Sequence, residues 1–298
     1  MPQINQILCP VDLSDITRHT TDHAALLARW YHAKITALHV CNPIVIPTTD
    51  FTVVGQASVP LLTEDEIKEV RAQISRCFDS AVAGDVDVII DNGHAANRIL
   101  ERTRSLPADL IVIGTHGAGG FERLVLGSVT EKVLRKATCP VMTVPPQAQT
   151  ISKLPFKRLL CPVDFSDSSL AALEFAFSLA KEGDAQLTIL HVFEWLPGDE
   201  PRTNRPITVP EYRRELEHDC TDKLHALVPD SVRTWCRPRT RTAHGKAYRE
   251  ILNLALEDES DLIVIGVHGR NALDQMLFGS TTNQVVRRAT CPVLTIRR

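Results

Sequence analysis

Two glycine patterns of identical spacing carry the residues best suited to hold a phosphate group. The pattern Gly-x2-Gly-x9-Gly-Ser lies between Gly114 and Ser128 and returns 152 positions later, between Gly266 and Ser280. Glycine permits positive φ and a close approach of a ligand to the main chain, and the first N–H groups of a helix attract anions. The chemistry that this arrangement predicts is phosphate binding.

The position of each glycine in its segment supports that interpretation. Gly114 ends an apolar run, Gly117 follows in a turn, and Gly127 stands just before an expected helix. Ser128 and Ser280 would each add a hydroxyl group at the cap position of such a helix. The alternative is that the glycines only form turns, but two complete copies favour binding. The pattern lacks the lysine of a Walker A loop and does not follow the first strand, as a dinucleotide fingerprint would.

A carboxylate is expected to face the glycines from the end of the first strand of each half. Asp12 and Asp164 leave these strands, and Ser14 and Ser166 lie just beyond them, where they can cap the next helix. In a doubly wound sheet this position borders the ligand crevice, where a carboxylate can accept hydrogen bonds from a ribose. The alternative function of each aspartate is to cap the following helix as an N-terminal acid.

Four histidines recur in pairs at the same offset. His39 and His191 lie inside apolar strands, which is typical of hydrogen-bonded core or switch-point side chains rather than of catalytic ones. His116 and His268 lie between the first two glycines of each pattern and border the predicted phosphate region. No serine or cysteine nucleophile is placed beside them in sequence, so an acid/base function is the less favoured alternative.

The repeat extends over the whole chain. Shifting the sequence by 152 positions aligns ILCPVDLSD with LLCPVDFSD, LHV with LHV, DLIVIG with DLIVIG, and RKATCPVMTV with RRATCPVLTI. A constant offset indicates duplication of one domain of about 150 residues. We predict a first domain at 1–146 and a second at 155–298, joined by a polar, proline-flanked linker.

Composition narrows the class of protein. With 44% hydrophobic and 23% charged residues among 298, both halves can bury a core. A net charge of −3 gives no reason to expect nucleic acid or an anionic membrane as a partner. The start of the chain has no signal pattern and no apolar stretch approaches ~18 residues, so we expect a cytoplasmic protein. The eight cysteines form no C-x-x-C pair and fit small buried hydrophobes better than metal ligands.

Short β-branched runs alternate with amphipathic segments, which is typical of a parallel sheet covered by helices. In the first half we predict strands at 5–11, 34–41, 85–91, 109–114 and 141–144. Thr63 and Glu66 predict a capping box for the second helix. The third strand of the second half, RPRTRTAH at 237–244, carries charges and a proline that favour an exposed sheet edge over a basic binding patch. The long segments 42–62 and 193–209 could each form a lid over a ligand.

The motifs CPVD, LHV, DLIVIGTHG and LGSVTEKVLRKATCPVMTV, with their second copies, resemble those of the universal stress protein family. The resemblance covers essentially the whole chain, and the glycine pattern marks the ATP-binding branch of the family. It implies an α/β fold of two tandem doubly wound domains. Each would have a five-stranded parallel sheet in the order 3-2-1-4-5, with helices on both faces and ATP in the crevice between strands one and four.

The resemblance also assigns parts of the nucleotide to residues of each half. An aspartate and a main-chain position on strand two would contact the adenosine portion, and the glycine pattern would follow the ribose and hold the phosphates. In the first half these residues are Asp12, Val40, Gly114, Gly117, Gly127, Ser128 and Val129. In the second half they are Asp164, Val192, Gly266, Gly269, Gly279, Ser280 and Thr281, where Thr281 departs from the usual valine.

The resemblance implies a regulator of the stress response that binds ATP, with or without Mg²⁺, and acts on an unidentified protein partner. The alternative is an enzyme, either a slow ATPase or a protein that phosphorylates itself. An adenylating enzyme of the related nucleotide-binding hydrolase type would carry S-G-G-x-[DS]-S after strand one, and PVDLSD and PVDFSD do not match it. We therefore predict no catalytic residue and no protein-bound metal.

The fifth strands are expected to join the halves. CPVMTV and CPVLTI are short and apolar, and in the order 3-2-1-4-5 each would lie on a sheet edge. The resemblance implies an intrachain pseudo-dimer through this strand, with a homodimer of whole chains as a further option.

Overall fold

The computed structural model describes residues 4–14, 16–41, 62–78, 85–117, 126–148, 156–194, 209–234, 236, 238–269 and 278–297. By their contacts these residues fall into two units, one within Gln3–Ile151 and the other within Ser152–Arg298. The two predicted lid segments lie largely outside the described residues, as do part of the linker and the middle of each glycine pattern.

The first unit is built on five parallel strands in the order β3-β2-β1-β4-β5. They are β1 Gln6–Pro10, β2 Lys34–Cys41, β3 Val86–Asn92, β4 Leu110–Gly114 and β5 Val141–Val144. Each predicted strand of this half is confirmed to within one residue at either end. The order reverses between β1 and β4, which makes that junction the switch point of the sheet.

Four described helices connect these strands. They are α1 Thr17–Tyr31, α2 Glu64–Arg76, α3 Ala95–Ser105 and α4 Ser128–Lys136. Because the chain moves one way along the sheet up to β3 and then the other way, right-handed crossovers put α1 and α2 on one face and α3 and α4 on the opposite face. The predicted capping box of α2 is confirmed, since Thr63 accepts a hydrogen bond from Glu66 N and the Glu66 carboxylate accepts one from Thr63 N.

The second unit repeats this architecture in the order β8-β7-β6-β9-β10, again with parallel pairs. Its strands are β6 Arg158–Pro162, β7 Gln186–Phe193, β8 Arg239–His244, β9 Leu262–Gly266 and β10 Val293–Ile296. Its helices are α5 Asp167–Gly183, α6 Val209–Ala226, α7 Asp230–Arg233, α8 Ala247–Glu257 and α9 Ser280–Arg288. The chain therefore has the tandem α/β fold that the repeat predicts.

The arginine-bearing strand lies where its composition predicts. Among the described strands, β8 pairs with β7 and has no second neighbour. Arg239 and Arg241 are exposed, which keeps charge along this edge. A charged edge strand resists pairing with another chain, so the edge interpretation of these arginines is confirmed.

The central strands form the core of each unit. The sequence LIVIG on β4 is buried except for partly exposed Gly114, and the same sequence on β9 is buried throughout. Helices on both faces remove both sides of these strands from water, and each buried Leu, Ile or Val contributes ~1.5–3 kcal/mol. The strands are therefore rigid supports for the loops that leave their carboxyl ends. Among the described residues, no helix combines the length and apolar character needed to cross a bilayer.

Candidate functional site

A deep cleft opens at the switch point of the first unit. It has a volume of about 1140 Å³ and is bounded by the carboxyl ends of β1, β2 and β4 and by the start of α4. Every residue that the sequence assigned to the first site lines this cleft: Asp12, Val40, Gly114, Gly117, Gly127, Ser128 and Val129. Residues separated by up to 117 positions thus converge on one cavity.

Asp12 is held in place by the turn that follows β1. Its Oδ1 accepts hydrogen bonds from Ser14 N at 3.1 Å, from the Ser14 hydroxyl at 2.7 Å and from the Thr17 hydroxyl at 2.7 Å. The bond to Ser14 N closes an Asx turn, in which Leu13 adopts a left-handed φ of 60°. The prediction that Ser14 caps α1 was wrong, because the N-cap is Ile16 and the Ser14 hydroxyl donates to Asp12 instead. Asp12 does not cap α1 either, so its capping alternative is also wrong.

The first two glycines of the pattern lie where a side chain would intrude. A Cβ atom on Gly117 would stand 2.8 Å from Oδ2 of Asp12, which is closer than real Cβ contacts come. A Cβ atom on Gly114 would stand 3.1 Å from the hydroxyl oxygen of Thr20. The backbone after β4 therefore passes directly against the Asp12 carboxylate, and glycine is required there for space.

The expectation that these glycines are needed for a positive φ was wrong. Among the described residues, the glycines with positive φ are Gly93 and Gly245, which follow β3 and β8. The glycines of the two patterns have φ values that other residues can adopt. What matters at these positions is the missing side chain, which lets the main chain pass close to neighbouring atoms.

The last glycine of the pattern begins α4. Gly127 is the N-cap and its N–H donates to Thr115 O at 2.9 Å, while the Thr130 hydroxyl donates to Gly114 O at 2.7 Å. These bonds attach the start of the helix to the end of β4. Ser128 was predicted at the cap position but is the first helical residue, because the non-helical φ and ψ belong to Gly127. The N–H groups of this first turn have no intrahelical acceptor and carry the positive end of the macrodipole, so they suit an anion.

The strand histidines are hydrogen-bonded to the chain that leaves the first strand of each unit. Nδ1 of His39 lies 2.9 Å from Val11 O, and Nδ1 of His191 lies 2.7 Å from Val163 O. Each bond links the carboxyl end of the second strand to the chain leaving the first strand of its unit. The prediction is confirmed for His191 as a buried core side chain, whereas His39 is hydrogen-bonded but half-buried and lines the cleft at the switch point. Val192 follows His191 on β7 and so reaches the same end of its sheet.

His116 lines the cleft, as His39 does, but it lies in the loop after β4 rather than on a strand. Its Nδ1 lies 2.8 Å from the Thr115 hydroxyl oxygen, and its Nε2 is buried without a hydrogen-bond partner among the described residues. Burial lowers the pKa of His116 below its ordinary value of 6.5, so the imidazole is neutral at pH 7. A neutral imidazole can accept a proton but does not contribute positive charge for phosphates.

The second unit repeats the aspartate turn. Oδ1 of Asp164 accepts a hydrogen bond from Ser166 N at 3.0 Å, and Phe165 has a left-handed φ of 64°. A Cβ atom on Gly269 would stand 2.7 Å from Oδ2 of Asp164, which repeats the contact of the first unit. Here the serine prediction is confirmed, since Ser166 is the N-cap of α5 and accepts from Ser169 N at 3.3 Å. Asp164 does not cap that helix, so the capping alternative is wrong in this unit as well.

The end of β9 and the start of α9 repeat the arrangement at β4 and α4. Gly279 is the N-cap of α9, Ser280 is the first helical residue rather than the predicted cap, and Thr281 follows it. The Thr282 hydroxyl donates to Gly266 O at 2.8 Å, as the corresponding threonine does in the first unit. All the residues predicted for the second site therefore lie on the loops and ends that correspond to the first.

Sequence reasoning missed several residues that shape the sites. Thr17 holds Asp12, and Thr130 and Thr282 attach α4 and α9 to the preceding strands. Leu13 and Phe165 supply the left-handed residue of each aspartate turn. The repeat contained a signal for the helix threonines, because Thr130 and Thr282 are identical at the offset of 152. Nothing in the sequence marks a leucine or phenylalanine for positive φ.

The cysteines and acidic residues offer no metal chemistry in the described part of the chain. No group of three or more His, Cys, Asp or Glu side chains there could hold a metal ion. Cys9 is buried, and burial raises the pKa of its thiol to about 12. Cys139 and Cys291 are similarly shifted by burial, with pKa values of about 11 and about 12. Protonated thiols at neutral pH are poor ligands and nucleophiles.

Comparison with known proteins gives one consistent result. Both halves match the model of the universal stress protein family, over residues 3–145 and 155–297. A universal stress protein of Mycolicibacterium smegmatis is 28% identical over 303 residues, covering 98% of this chain and 96% of that protein. Universal stress protein YxiE of Bacillus subtilis is 34% identical over 147 residues, covering 48% of this chain and 99% of that protein. The crystal structure of a universal stress protein from Archaeoglobus fulgidus has the same fold, with a TM-score of 0.68 at 22% identity and 99% coverage of both chains.

Proposed function

Because the chain belongs to the universal stress protein family, we propose that it is an ATP-binding regulator of the stress response whose main activity is binding rather than turnover. The observation that carries this proposal is the convergence of the seven first-half residues on one cleft, where the main chain at Gly117 passes too close to Asp12 for a side chain. The cleft exceeds the ~300–1,000 Å³ of ordinary small-molecule sites, so a nucleoside triphosphate fits by size.

Three parts of the cleft match three parts of ATP. The Asp12 carboxylate would accept hydrogen bonds from ribose hydroxyls, and the main chain at Val40 would contact the base. The first turn of α4, from Gly127 to Val129, would hold the phosphates through N–H groups and the helix dipole. Apolar side chains, among them Ile16 and Leu38, line the rest of the cleft and suit an adenine ring. We assign the same parts to Asp164, Val192 and the start of α9 in the second unit.

Any Mg²⁺ in the site would come with the phosphates. Mg²⁺ retains several water ligands and is commonly bound through substrate phosphates and one or two carboxylates. Asp12 and Glu131 are the carboxylates that line the described part of the cleft. We therefore propose that ATP brings the ion and that the protein adds at most one of its ligands.

Regulation would follow from differential binding. ATP can shift the protein toward one conformation only if it binds that conformation more tightly than the others. The crevice is suited to this because its walls, the turn after β1 and the loop after β4, belong to separate parts of the chain. A protein partner would then recognise the nucleotide-bound surface.

The pairing of the halves through their fifth strands remains a proposal from the sequence.

An enzyme is the alternative, favoured by the neutral imidazole of His116 at the cleft. A base at that position could accept a proton from water or from a hydroxyl group. The test is to incubate the purified chain with ATP and Mg²⁺ and to analyse bound and released nucleotide over time. We expect retained ATP with negligible ADP or AMP. Steady production of ADP that His116→Asn abolishes would instead establish catalysis, and Gly127→Val would serve as the control for binding.

A further inference from the structure

The two crevices differ at the start of the helix that follows the aspartate turn. The first unit has Ile16 at this position, and the second has Ser168 at the same offset of 152. Ile16 is the N-cap of α1 and lines the first cleft. Ser168 is the second residue of α5 and is buried at 7% exposure. The exchange places a hydroxyl group where the first unit has only hydrocarbon.

That hydroxyl bridges the second crevice. It donates a hydrogen bond to the carbonyl oxygen of His268, in the loop that leaves β9. The Ser166 hydroxyl, which donates to Asp164, also lies 3.3 Å from the same oxygen. We call the bond from Ser168 to His268 the serine clasp. It joins the wall that follows β6 to the wall that follows β9, which are the two walls between which the nucleotide would lie.

The two walls are also in close contact at the strand end. A Cβ atom on Gly266 would stand 2.7 Å from the main-chain carbon of Ser168. At the corresponding Gly114 the nearest atom is the Thr20 hydroxyl oxygen, at 3.1 Å. Gly266 is buried whereas Gly114 is partly exposed. The second crevice is therefore narrower than the first at the edge of the sheet.

Two phenylalanines pack against His191 at the ends of β6 and β7, beside the second crevice. The rings of Phe165 and His191 have centroids 5.0 Å apart, and those of His191 and Phe193 are 4.9 Å apart. His191 and Phe193 are buried at 6% and 7% exposure. The first unit has the smaller Leu13 and Cys41 in place of the two phenylalanines. Both differences reduce the space available to a nucleotide in the second unit.

We infer that the serine clasp makes the two nucleotide sites unequal, with the first unit as the tight site and the second as a weaker site that fills only when the clasp opens. This inference rests on the proposed ATP binding. A ligand that must break an existing contact binds less tightly by the cost of that contact. A buried hydrogen bond has a net value that corresponds to a change of about two- to tenfold in affinity.

The test isolates the second site and removes the clasp. Gly127→Val blocks the first site, and in that background Ser168→Ala deletes the hydroxyl that bridges the crevice. Titration with ATP in the presence of Mg²⁺ should show about two- to tenfold tighter binding than Gly127→Val alone.

The reciprocal change supplies a matched control. Gly279→Val blocks the second site, and in that background Ile16→Ser places a hydroxyl group at the position of the first unit that corresponds to Ser168. Binding to the first site should weaken by up to about tenfold. Circular dichroism and thermal unfolding without nucleotide identify the variants that fold. Each folded variant is compared with the Gly→Val protein in which it was made.

The outcomes separate this inference from the proposed function. Two ATP sites of equal affinity, unaffected by Ser168 in folded variants, would overturn the clasp and leave ATP binding intact. Absence of ATP binding to the wild-type chain and to every folded variant would overturn both. A single tight site that Gly127→Val removes, with a second site strengthened by Ser168→Ala, is the result we expect.

Discussion

Gly117→Ala is the smallest substitution that should disable the first nucleotide site. The added Cβ atom would stand 2.8 Å from Oδ2 of Asp12, about 0.7 Å closer than the ~3.5 Å at which carbon and oxygen atoms pack comfortably. Asp12 cannot yield easily, because its Oδ1 is held by the hydroxyl groups of Ser14 and Thr17, each at 2.7 Å. Either the carboxylate moves and these bonds weaken, or the loop after β4 moves away from the ligand.

The expected magnitude follows from the bonds at risk. A hydrogen bond to a charged group contributes about 1.5–3 kcal/mol, and the displaced carboxylate would lose its alignment with the ribose as well as with its supporting hydroxyls. Loss of one such bond corresponds to an increase in Kd of roughly 10- to 100-fold. Because Gly117 is exposed and does not require positive φ, the free energy of unfolding should fall by no more than the ~1.5–3 kcal/mol that one such bond contributes.

Titration calorimetry with ATP, together with thermal unfolding of the nucleotide-free protein, measures both quantities. Gly269→Ala is the matched control, since its Cβ atom would stand 2.7 Å from Oδ2 of Asp164 in the other unit. Each alanine should weaken only the site of its own unit. An unchanged Kd at the first site, in a folded Gly117→Ala protein, would refute the argument that the glycine is required for the approach of Asp12.

Three further outcomes are expected. Gly127→Val should abolish the first site and Gly279→Val the second, without unfolding the chain. The reason is that a branched side chain would occupy the space of the phosphates. Equilibrium dialysis of each variant measures the remaining site. Burial lowers the pKa of His23, so at acidic pH the unfolded state binds a proton that the folded state does not. The free energy of unfolding should therefore fall as the pH drops below about 6.5, with a slope of up to ~1.4 kcal/mol per pH unit. Denaturant titrations at several pH values measure this slope, which His23→Gln should reduce. If the fifth strands join the halves, replacing both Met142 and Leu294 with lysine should increase the radius of gyration in small-angle scattering, whereas an unchanged radius in the folded variant would place the junction elsewhere.

The regular elements could be predicted because local and global signals agree in them. The run LIVIG is apolar on both faces, and it occurs as a central strand in both units. The capping box of Thr63 and Glu66 needs only the residues of one turn, so its sequence pattern was sufficient. The arginines of β8 indicated an edge because charge and proline are costly between two neighbours. Strand order could not be obtained from such patterns and came from the family resemblance.

The sequence predicted residues that line the first cleft but not their local geometry. The repeat singled out the glycines and aspartates, because each of them recurs at the offset of 152 positions. Ser14 was misassigned because its hydroxyl can donate to Asp12 or accept from the helix, and the position of Thr17 decided between these bonds. Ser166 does cap its helix, although its flanking sequence is similar. Such competition between nearby hydrogen bonds depends on distances of a few tenths of an ångström, which the sequence does not specify.

The binding of ATP itself is the central claim, and equilibrium dialysis of the purified, nucleotide-free chain against labelled ATP and Mg²⁺ tests it most directly. We predict saturation at about two ATP per chain, with the first bound tightly at the unit that contains Asp12 and lost in Gly127→Val. A chain that is folded by circular dichroism and binds no ATP at any concentration up to the millimolar range would contradict the account.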